Sequence, residues 1–173
     1  PDNLCPPEIL EAQLLSDVRY VGFDGHLHQG QIVMDRRLMH EVHLFFELAR
    51  KLDFPIEKVA PAVQFGWDDD EIMARNVSSG FNYRTIAGSD TVSLHGKGMA
   101  FDINPRVNPY VRFENGTQIV SPQGAVYDTQ TPGTLTASHQ LVVFMKELGW
   151  EWGGDWTPES GRIDYQHFQK NLD

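Results

Sequence analysis

Two short segments constrain this chain more than any other feature, because together they carry the side chains of a metal site. Residues 93–102 read Ser-Leu-His-Gly-Lys-Gly-Met-Ala-Phe-Asp, and residues 164–167 read Asp-Tyr-Gln-His. Two histidines and one carboxylate are the ligand set of a catalytic zinc whose fourth position stays open for water. The predicted ligands are His95, Asp102 and His167. The pattern therefore predicts a zinc hydrolase.

Two further residues fit the chemistry that such a zinc needs. Zinc held by imidazoles and one carboxylate lowers the pKa of a bound water to about 7, and a nearby carboxylate that is not a ligand can accept the proton. Asp164 is our candidate for that base, because the backbone that places His167 also places a residue three positions earlier. Arg84 can donate two parallel hydrogen bonds, which suits a developing oxyanion or a substrate carboxylate.

Each of these five residues also has an ordinary structural explanation. The histidines are compatible with a surface loop and with a buried aromatic strand. The two aspartates are compatible with turns or helix caps, and the arginine with a surface ion pair. Their joint pattern is what favours a metal site over those explanations.

The composition is typical of a soluble globular protein. The chain has 173 residues, of which 40% are hydrophobic and 22% charged, enough for one substantial core. We expect a monomer with a single domain over residues 1–173, in which residues 1–17 form an N-terminal arm. Since Pro1 stands where a start methionine would, we expect a mature or trimmed form without its signal peptide.

Charge and cysteine content argue against several classes of function. The net charge is −10 with no run of lysines or arginines, which disfavours nucleic acid or anionic lipid as a partner. A cationic or neutral substrate is easier to accept. The single cysteine, Cys5, permits neither an internal disulfide nor a thiolate metal cage. No apolar run approaches the roughly 20 residues that span a bilayer.

Periodicity and turn residues predict a mixture of helices and strands. Asp24-Gly25 between apolar runs predicts a β-hairpin. Helical spacing predicts an amphipathic helix over 36–52, capped by Asp35, and a second helix between Ser138 as its cap and Gly149 as its end. The other expectations are a strand over 56–65 interrupted by Pro61, an acidic helix start at 67–71, a turn at 87–90, a strand over 99–103, and a long irregular surface segment over 105–134 that covers the substrate.

Four further histidines are candidate metal ligands, but a simpler explanation fits each pair. His26 and His28 adjoin the predicted hairpin turn, where a polar strand face explains them. His40 and His43 are three residues apart on the predicted helix, whereas the zincin motif needs an interval of four. We therefore expect His40 and His43 to be partly exposed helix residues. Metal binding by either pair of histidines is the less favoured alternative.

The joint pattern resembles a known enzyme family. The motifs that carry the resemblance are Ser93-x-His95-x-x-Gly98-x-Ala100-x-Asp102 and Asp164-x-x-His167-Phe168. They are similar to those of zinc D-alanyl-D-alanine carboxypeptidases and L-alanyl-D-glutamate endopeptidases, which include VanY-like and VanX-like enzymes and several phage endolysins. Residues 79–84, 102–110 and 152–156 also resemble the family's arginine segment, the stretch after the second ligand and the turn before the base. The resemblance covers about residues 18–169.

The resemblance implies a compact α+β fold, with helices packed against a small, mostly antiparallel sheet, as in the signalling domain of hedgehog proteins. It assigns zinc to the same three ligands, the role of base to Asp164, and carbonyl or oxyanion contact to Arg84. Many relatives carry glutamate as the base. The aspartate therefore places this chain nearer the endopeptidase-like branch, in which L-Ala-D-Glu and terminal D-Ala-D-Ala bonds are both cleaved.

The expected function is a zinc metallopeptidase that hydrolyses peptide bonds of peptidoglycan stem peptides by means of a zinc-activated water. We expect it in the cell envelope or periplasm, secreted, or in a phage as an endolysin. The alternative is a non-catalytic zinc module that binds peptide or glycan, as the resemblance to hedgehog proteins permits. Asp164 and Arg84 favour catalysis, because a binding module needs neither.

Overall fold

The computed structural model describes residues 5–86 and 89–172. Residues 1–4 of the expected arm and residues 87 and 88 of the expected turn lie outside this description. The helices are α1 (Pro7–Ala12), α2 (Met39–Lys51), α3 (Asp69–Ala74) and α4 (Gln140–Glu147). The strands are β1 (Gln13–Val21), β2 (Leu27–Asp35), β3 (Lys58–Val59), β4 (Val77–Ser78), β5 (Ala100–Asp102), β6 (Tyr110–Glu114), β7 (Thr117–Ser121), β8 (Glu151–Trp152), β9 (Arg162–Asp164) and β10 (His167–Gln169).

The strands form small sheets that pack with the helices. β1 pairs with β2, β10 lies between β5 and β8, and β6 lies between β7 and β9, all antiparallel, whereas β3 and β4 pair in parallel. This arrangement confirms the predicted α+β fold with mostly antiparallel sheets. Within the described ranges, no helix has both the length and the apolar character needed to cross a membrane.

The hairpin predicted at Asp24-Gly25 is confirmed. β1 and β2 pair in continuous register from Gln13 opposite Asp35 to Val21 opposite Leu27. Gly25 has a φ of 74°, which the turn requires and which glycine adopts without strain. The hairpin begins at Gln13, so the last residues of the range expected as an arm belong to β1.

The main core forms where α2 packs on the β5–β10 pair. Phe45 of α2 is fully buried and contacts Phe101 and Phe168 at ring distances of 5.2 and 5.6 Å. The apolar face predicted for this helix is therefore confirmed. Its start is not, because α2 begins at Met39 and Asp35 does not cap it. The Asp35 carboxylate instead accepts hydrogen bonds from the backbone and the guanidinium of Arg37.

Two further local predictions need correction, and a third is confirmed. The region 56–65 is a two-residue strand, β3, followed after Pro61 by a 3₁₀ turn over Ala62–Phe65, because proline cannot donate to a strand ladder. The cap of α4 is His139, whose ring accepts from the backbone of Leu141, rather than Ser138. The acidic helix start is confirmed as α3, with Asp68 as its N-cap.

The segment 105–134 is irregular only in part: residues 105–109 and 122–134 have no helix or strand, as predicted, whereas residues 110–121 are regular. It contains the hairpin of β6 and β7, joined by Asn115 and Gly116 with φ values of 50° and 76°. Two successive residues with positive φ form the tight turn that Asn-Gly favours between twisted strands. β6 also pairs with β9, so this hairpin is built into the wall of the site described next.

Candidate active site

Two paired strands place two of the predicted ligands side by side. Asp102 ends β5, His167 begins β10, and the two residues are direct partners in the antiparallel register. Successive side chains of a strand point to opposite faces, so the neighbouring residues Phe101 and Phe168 point into the core. Their rings stack at 5.3 Å with both residues fully buried. The core thus fixes the orientation of the ligand pair.

The third predicted ligand, His95, comes from a 3₁₀ turn over His95–Lys97 that precedes β5. Gly98 ends this turn with a φ of 71°, and a Cβ there would lie 2.7 Å from the backbone nitrogen of Asp35. Glycine is therefore required by conformation and by space. This glycine lets the backbone of the turn approach β2 closely, so the turn packs against the first hairpin.

The three side chains form a compact triangle of acceptor atoms. Asp102 Oδ1 lies 3.2 Å from His95 Nε2 and 3.0 Å from His167 Nδ1, and the two nitrogens are 3.1 Å apart. Two ligand atoms bound to a tetrahedral zinc at about 2.0–2.1 Å lie roughly 3.3 Å apart. The observed spacing therefore fits a zinc-sized cation.

Hydrogen bonds behind the imidazoles leave lone pairs facing the centre of the triangle. His95 Nδ1 donates to the carbonyl oxygen of Gly80 at 2.9 Å, and His167 Nε2 donates to Gln169 Oε1 at 3.0 Å. The Gln169 amide is oriented in turn, because its Nε2 donates to Glu151 Oε2 at 2.7 Å. In the neutral tautomers that these bonds select, two nitrogen lone pairs and a carboxylate oxygen converge, a donor set suited to a metal ion.

The electrostatics of the triangle follow from its burial. Burial alone would raise the pKa of Asp102, but His95 and His167 hold it well below its usual range. Burial alone would lower the pKa of His167, but its hydrogen bond to Asp102 raises it. A negative charge on Asp102 is therefore maintained in a buried position, where it attracts a cation strongly.

Asp164 lies at the end of β9, beside this triangle in the same cleft. Its Oδ1 is buried without a hydrogen-bond partner among the described residues. Burial, reinforced by the charge of Asp102, raises the pKa of Asp164 to about 7. The turn before it packs tightly, since a Cβ on Gly153 would lie 2.9 Å from the Asp164 Cβ. A fixed carboxylate with a pKa near neutrality has the properties of a general base.

The cleft around these groups has a volume of about 700 Å³, within the usual range for ligand sites. Its lining includes the triangle, Asp164, the predicted Arg84, and further polar and aromatic side chains. Those further side chains include Asp69, Tyr110, Arg112, Trp156, Arg162 and Gln166.

Arg84 lines the cleft, as expected for a residue of the site, but it is also held by an acidic partner. Its Nη2 lies 2.7 Å from Asp69 Oδ2, and Asn82 Nδ2 donates to the other oxygen of that carboxylate at 2.6 Å. The ion pair fixes the guanidinium in the wall of the cleft. No local pattern predicts this pairing, because residues 69 and 84 lie in separate parts of the fold.

The comparisons with known proteins agree with this geometry. Residues 87–170, just under half of the chain, match the model of the family described as D-alanyl-D-alanine carboxypeptidase. The family predicted from the sequence is confirmed. The matched range holds the triangle and Asp164, while Arg84 lies shortly before it. No curated protein and no solved structure matches the chain significantly. The family match supports a peptidase of the D-alanyl-D-alanine carboxypeptidase kind.

The other four histidines lie outside the triangle of this peptidase. Among the described residues, one group of side chains has the spacing of a metal site, and it consists of His95, Asp102 and His167. His28 Nε2 and His26 Nδ1 lie 2.9 and 3.6 Å from the exposed Asp24 carboxylate. His43 Nε2 lies 2.8 Å from the hydroxyl oxygen of Ser16, and His40 is exposed on α2.

Sequence reasoning missed the residues that support and surround the predicted ones. Gln169 and Glu151 orient His167, Asp69 holds Arg84, and Arg112 and Arg162 line the cleft. One signal was available for Gln169, because a residue two positions after a strand ligand points to the same face. The others come from distant parts of the chain and have no local signature.

Proposed function

We propose that this peptidase is a zinc metallopeptidase that hydrolyses peptide bonds of peptidoglycan stem peptides. The observation that carries the proposal is the convergence of three acceptor atoms 3.0 to 3.2 Å apart, next to a buried carboxylate oxygen that has no hydrogen-bond partner in the described ranges. His95, Asp102 and His167 would hold the zinc. Bound zinc supplies Lewis acidity, which lowers the pKa of water to about 7 and polarises a carbonyl.

The residues of the chain perform the proton transfers and hold the substrate. Asp164 accepts a proton from the attacking water as its oxygen bonds to the scissile carbonyl carbon. The same carboxyl group then gives that proton to the leaving nitrogen as the carbon–nitrogen bond breaks, so the products are a carboxylate and an amine. The pKa of Asp164 is raised to about 7 in the metal-free protein, and a bound cation would lower it, so the carboxylate would be ionised at neutral pH and able to accept the proton. Arg84 would donate hydrogen bonds to the developing oxyanion.

We infer a site of action in the cell envelope, periplasm or extracellular space, because stem peptides occur there, and a monomer as the working unit. A phage origin is compatible with the same chemistry. Both the terminal D-Ala-D-Ala bond and the L-Ala-D-Glu bond remain candidates for cleavage within this proposal, and the experiment below separates them.

The test is incubation of the zinc-loaded protein with purified tetra- and pentapeptide muropeptides, followed by mass spectrometry. Loss of a terminal D-alanine identifies a carboxypeptidase, and release of the stem after L-alanine identifies an endopeptidase. Asp164→Asn should remove the activity while zinc stays bound, and Asp53→Asn, at an exposed turn, is the matched control.

Two outcomes would contradict the proposal. Stoichiometric zinc without hydrolysis of either bond would favour the alternative of a non-catalytic zinc module that binds peptide or glycan. Hydrolysis that Asp164→Asn leaves unchanged would remove the general base from the mechanism.

A further inference from the structure

One wall of the cleft is the face of the β6–β9 pair, and it carries two arginines next to the proposed base. Arg112 of β6 is the register partner of Arg162 of β9, and Tyr110 is the partner of Asp164. Residues two apart on a strand share a face, so Arg162 and Asp164 point the same way. All four residues line the cleft.

Two like charges directly opposite each other on paired strands are unfavourable unless something offsets them. Arg112 Nη1 lies 2.8 Å from Glu114 Oε1, an exposed pair that contributes little. The Arg162 guanidinium stacks over the ring of Trp156 at 4.8 Å, and in the described part of the chain no carboxylate lies within ion-pair distance of it. Asp164 lies close enough for the charge of Arg162 to lower its pKa, but no carboxylate in the described ranges pairs directly with that guanidinium, so it can form such a pair with an anionic group.

This local charge is opposite to that of the whole molecule. The net charge of −10 led us to expect a cationic or neutral substrate. The wall beside Asp164 instead offers two guanidinium groups, and guanidinium matches a carboxylate through two parallel hydrogen bonds. Stacking on Trp156 restricts Arg162, so less conformational freedom is lost when it binds an anion.

We infer that Arg112 and Arg162 form a subsite for a carboxylate of the peptide substrate. The inference rests on the proposed peptidase function and specifies its substrate class as anionic peptides. A strand rises about 3.3 Å per residue, so the backbone positions of Arg162 and Asp164 lie about 6.6 Å apart along β9. A carboxylate bound by the two arginines would therefore belong to a substrate residue near the scissile bond.

Two sources supply a carboxylate at that distance. One is the C-terminal carboxylate of a peptide that ends in D-Ala-D-Ala, and the other is the free carboxylate of D-glutamate after an L-alanyl bond. The probes are therefore two matched pairs of synthetic peptides. In the first pair the C-terminus is a free acid or an amide, and in the second pair the glutamate carboxylate is free or an amide.

The zinc-loaded protein should prefer the acid of one pair by about 10- to 100-fold in kcat/KM, the range expected for loss of a charge-assisted hydrogen-bonded pair. Arg162→Gln should remove this preference, because it slows hydrolysis of the acid form more than hydrolysis of the amide form. Arg162→Lys should retain part of it, because the charge stays and the two-pronged geometry is lost. Arg50→Gln, at an exposed position of α2, removes the same charge outside the cleft and should retain the full preference.

Binding measurements separate failure of the subsite from failure of the proposed function. Calorimetric titration of the zinc-loaded Asp164→Asn protein with the same peptides reports recognition without turnover. If the protein binds the acid more tightly than the amide and Arg162→Gln abolishes this difference, the subsite is supported. This conclusion holds even if the wild-type protein hydrolyses no peptide, a result that would refute the proposed function alone. Equal binding and equal kcat/KM for acid and amide in both pairs, with hydrolysis intact, overturns the subsite alone.

Discussion

Ionisation of Asp164 should destabilise the zinc-free protein, and Asp164→Asn should relieve that cost. Oδ1 of this residue is buried and has no hydrogen-bond partner within the part of the chain that the structure describes. Burial, together with the charge of Asp102, raises the pKa of Asp164 from 3.8 to about 7. Below pH 3.8 the carboxyl group is protonated in the folded and unfolded states alike. Between pH 3.8 and about 7 the unfolded state is ionised whereas the folded state keeps its proton, so stability falls across this interval and stays constant above it.

The size of the effect follows from the pKa difference. At about 1.4 kcal/mol per pH unit, the interval from 3.8 to about 7 sets an upper bound of roughly 4 kcal/mol above neutral pH. Part of that cost, about 1.6 kcal/mol, is already present at pH 5. The free energy of unfolding of Asp164→Asn relative to wild type should therefore increase by up to roughly 2.5 kcal/mol between pH 5 and pH 8. Partial solvent contact of the residue lowers the expected value to about 1–2 kcal/mol.

The assay is urea unfolding in the presence of a chelator, followed by tryptophan fluorescence at pH 5 and pH 8. Asp53→Asn, at an exposed turn, controls for the general effect of removing one negative charge. The difference between pH values is the measured quantity, because it cancels any pH-independent effect of the amide. A difference that stays constant, or that favours the wild-type protein at pH 8, would refute the reasoning.

Three further predictions test the roles of individual residues. His167→Ala should abolish zinc binding, because it removes a proposed ligand. Asp164→Ala should retain zinc and lower turnover by about 100-fold or more, because it removes the proposed base. Equal zinc loss in the two variants by elemental analysis would contradict this division of roles. Gln169→Ala should weaken zinc affinity by about 10- to 100-fold in a chelator competition, because His167 loses the acceptor that orients it. Gln118→Ala on an exposed strand is its control, and equal affinities would exclude that role. Arg84→Lys should retain zinc and slow hydrolysis, because lysine cannot donate two parallel hydrogen bonds; an unchanged rate removes Arg84 from the mechanism.

The elements that the sequence predicted well are those with a local physical cause. Asp24-Gly25 predicted the β1–β2 hairpin, because its backbone preference matches the turn. The apolar spacing of α2 predicted its buried face, because one side of a helix repeats every three to four residues. The convergence of His95, Asp102 and His167 was predicted from chemistry and resemblance rather than from periodicity.

The remaining features depend on contacts between distant parts of the chain or on a local signal that was overlooked. Asn115-Gly116 is as strong a hairpin signal as Asp24-Gly25, but the prolines around it favoured an irregular segment. The start of α2 and the pairing of Arg84 with Asp69 have no such signal, because each is decided by neighbours far away in sequence.

Because β5 and β10 carry two of the proposed ligands, metal binding at the proposed site requires these two distant strands to pair. Asp102 and His167 are 65 residues apart in the chain, and closing a loop of that length costs entropy that local contacts must first offset. A slip of one residue in the pairing would turn the histidine toward the core and Phe168 toward the cleft. If zinc binds at the proposed site, its affinity would therefore distinguish the native strand register from a register shifted by one residue. The appearance of that affinity during refolding would show when β5 and β10 pair in their native register.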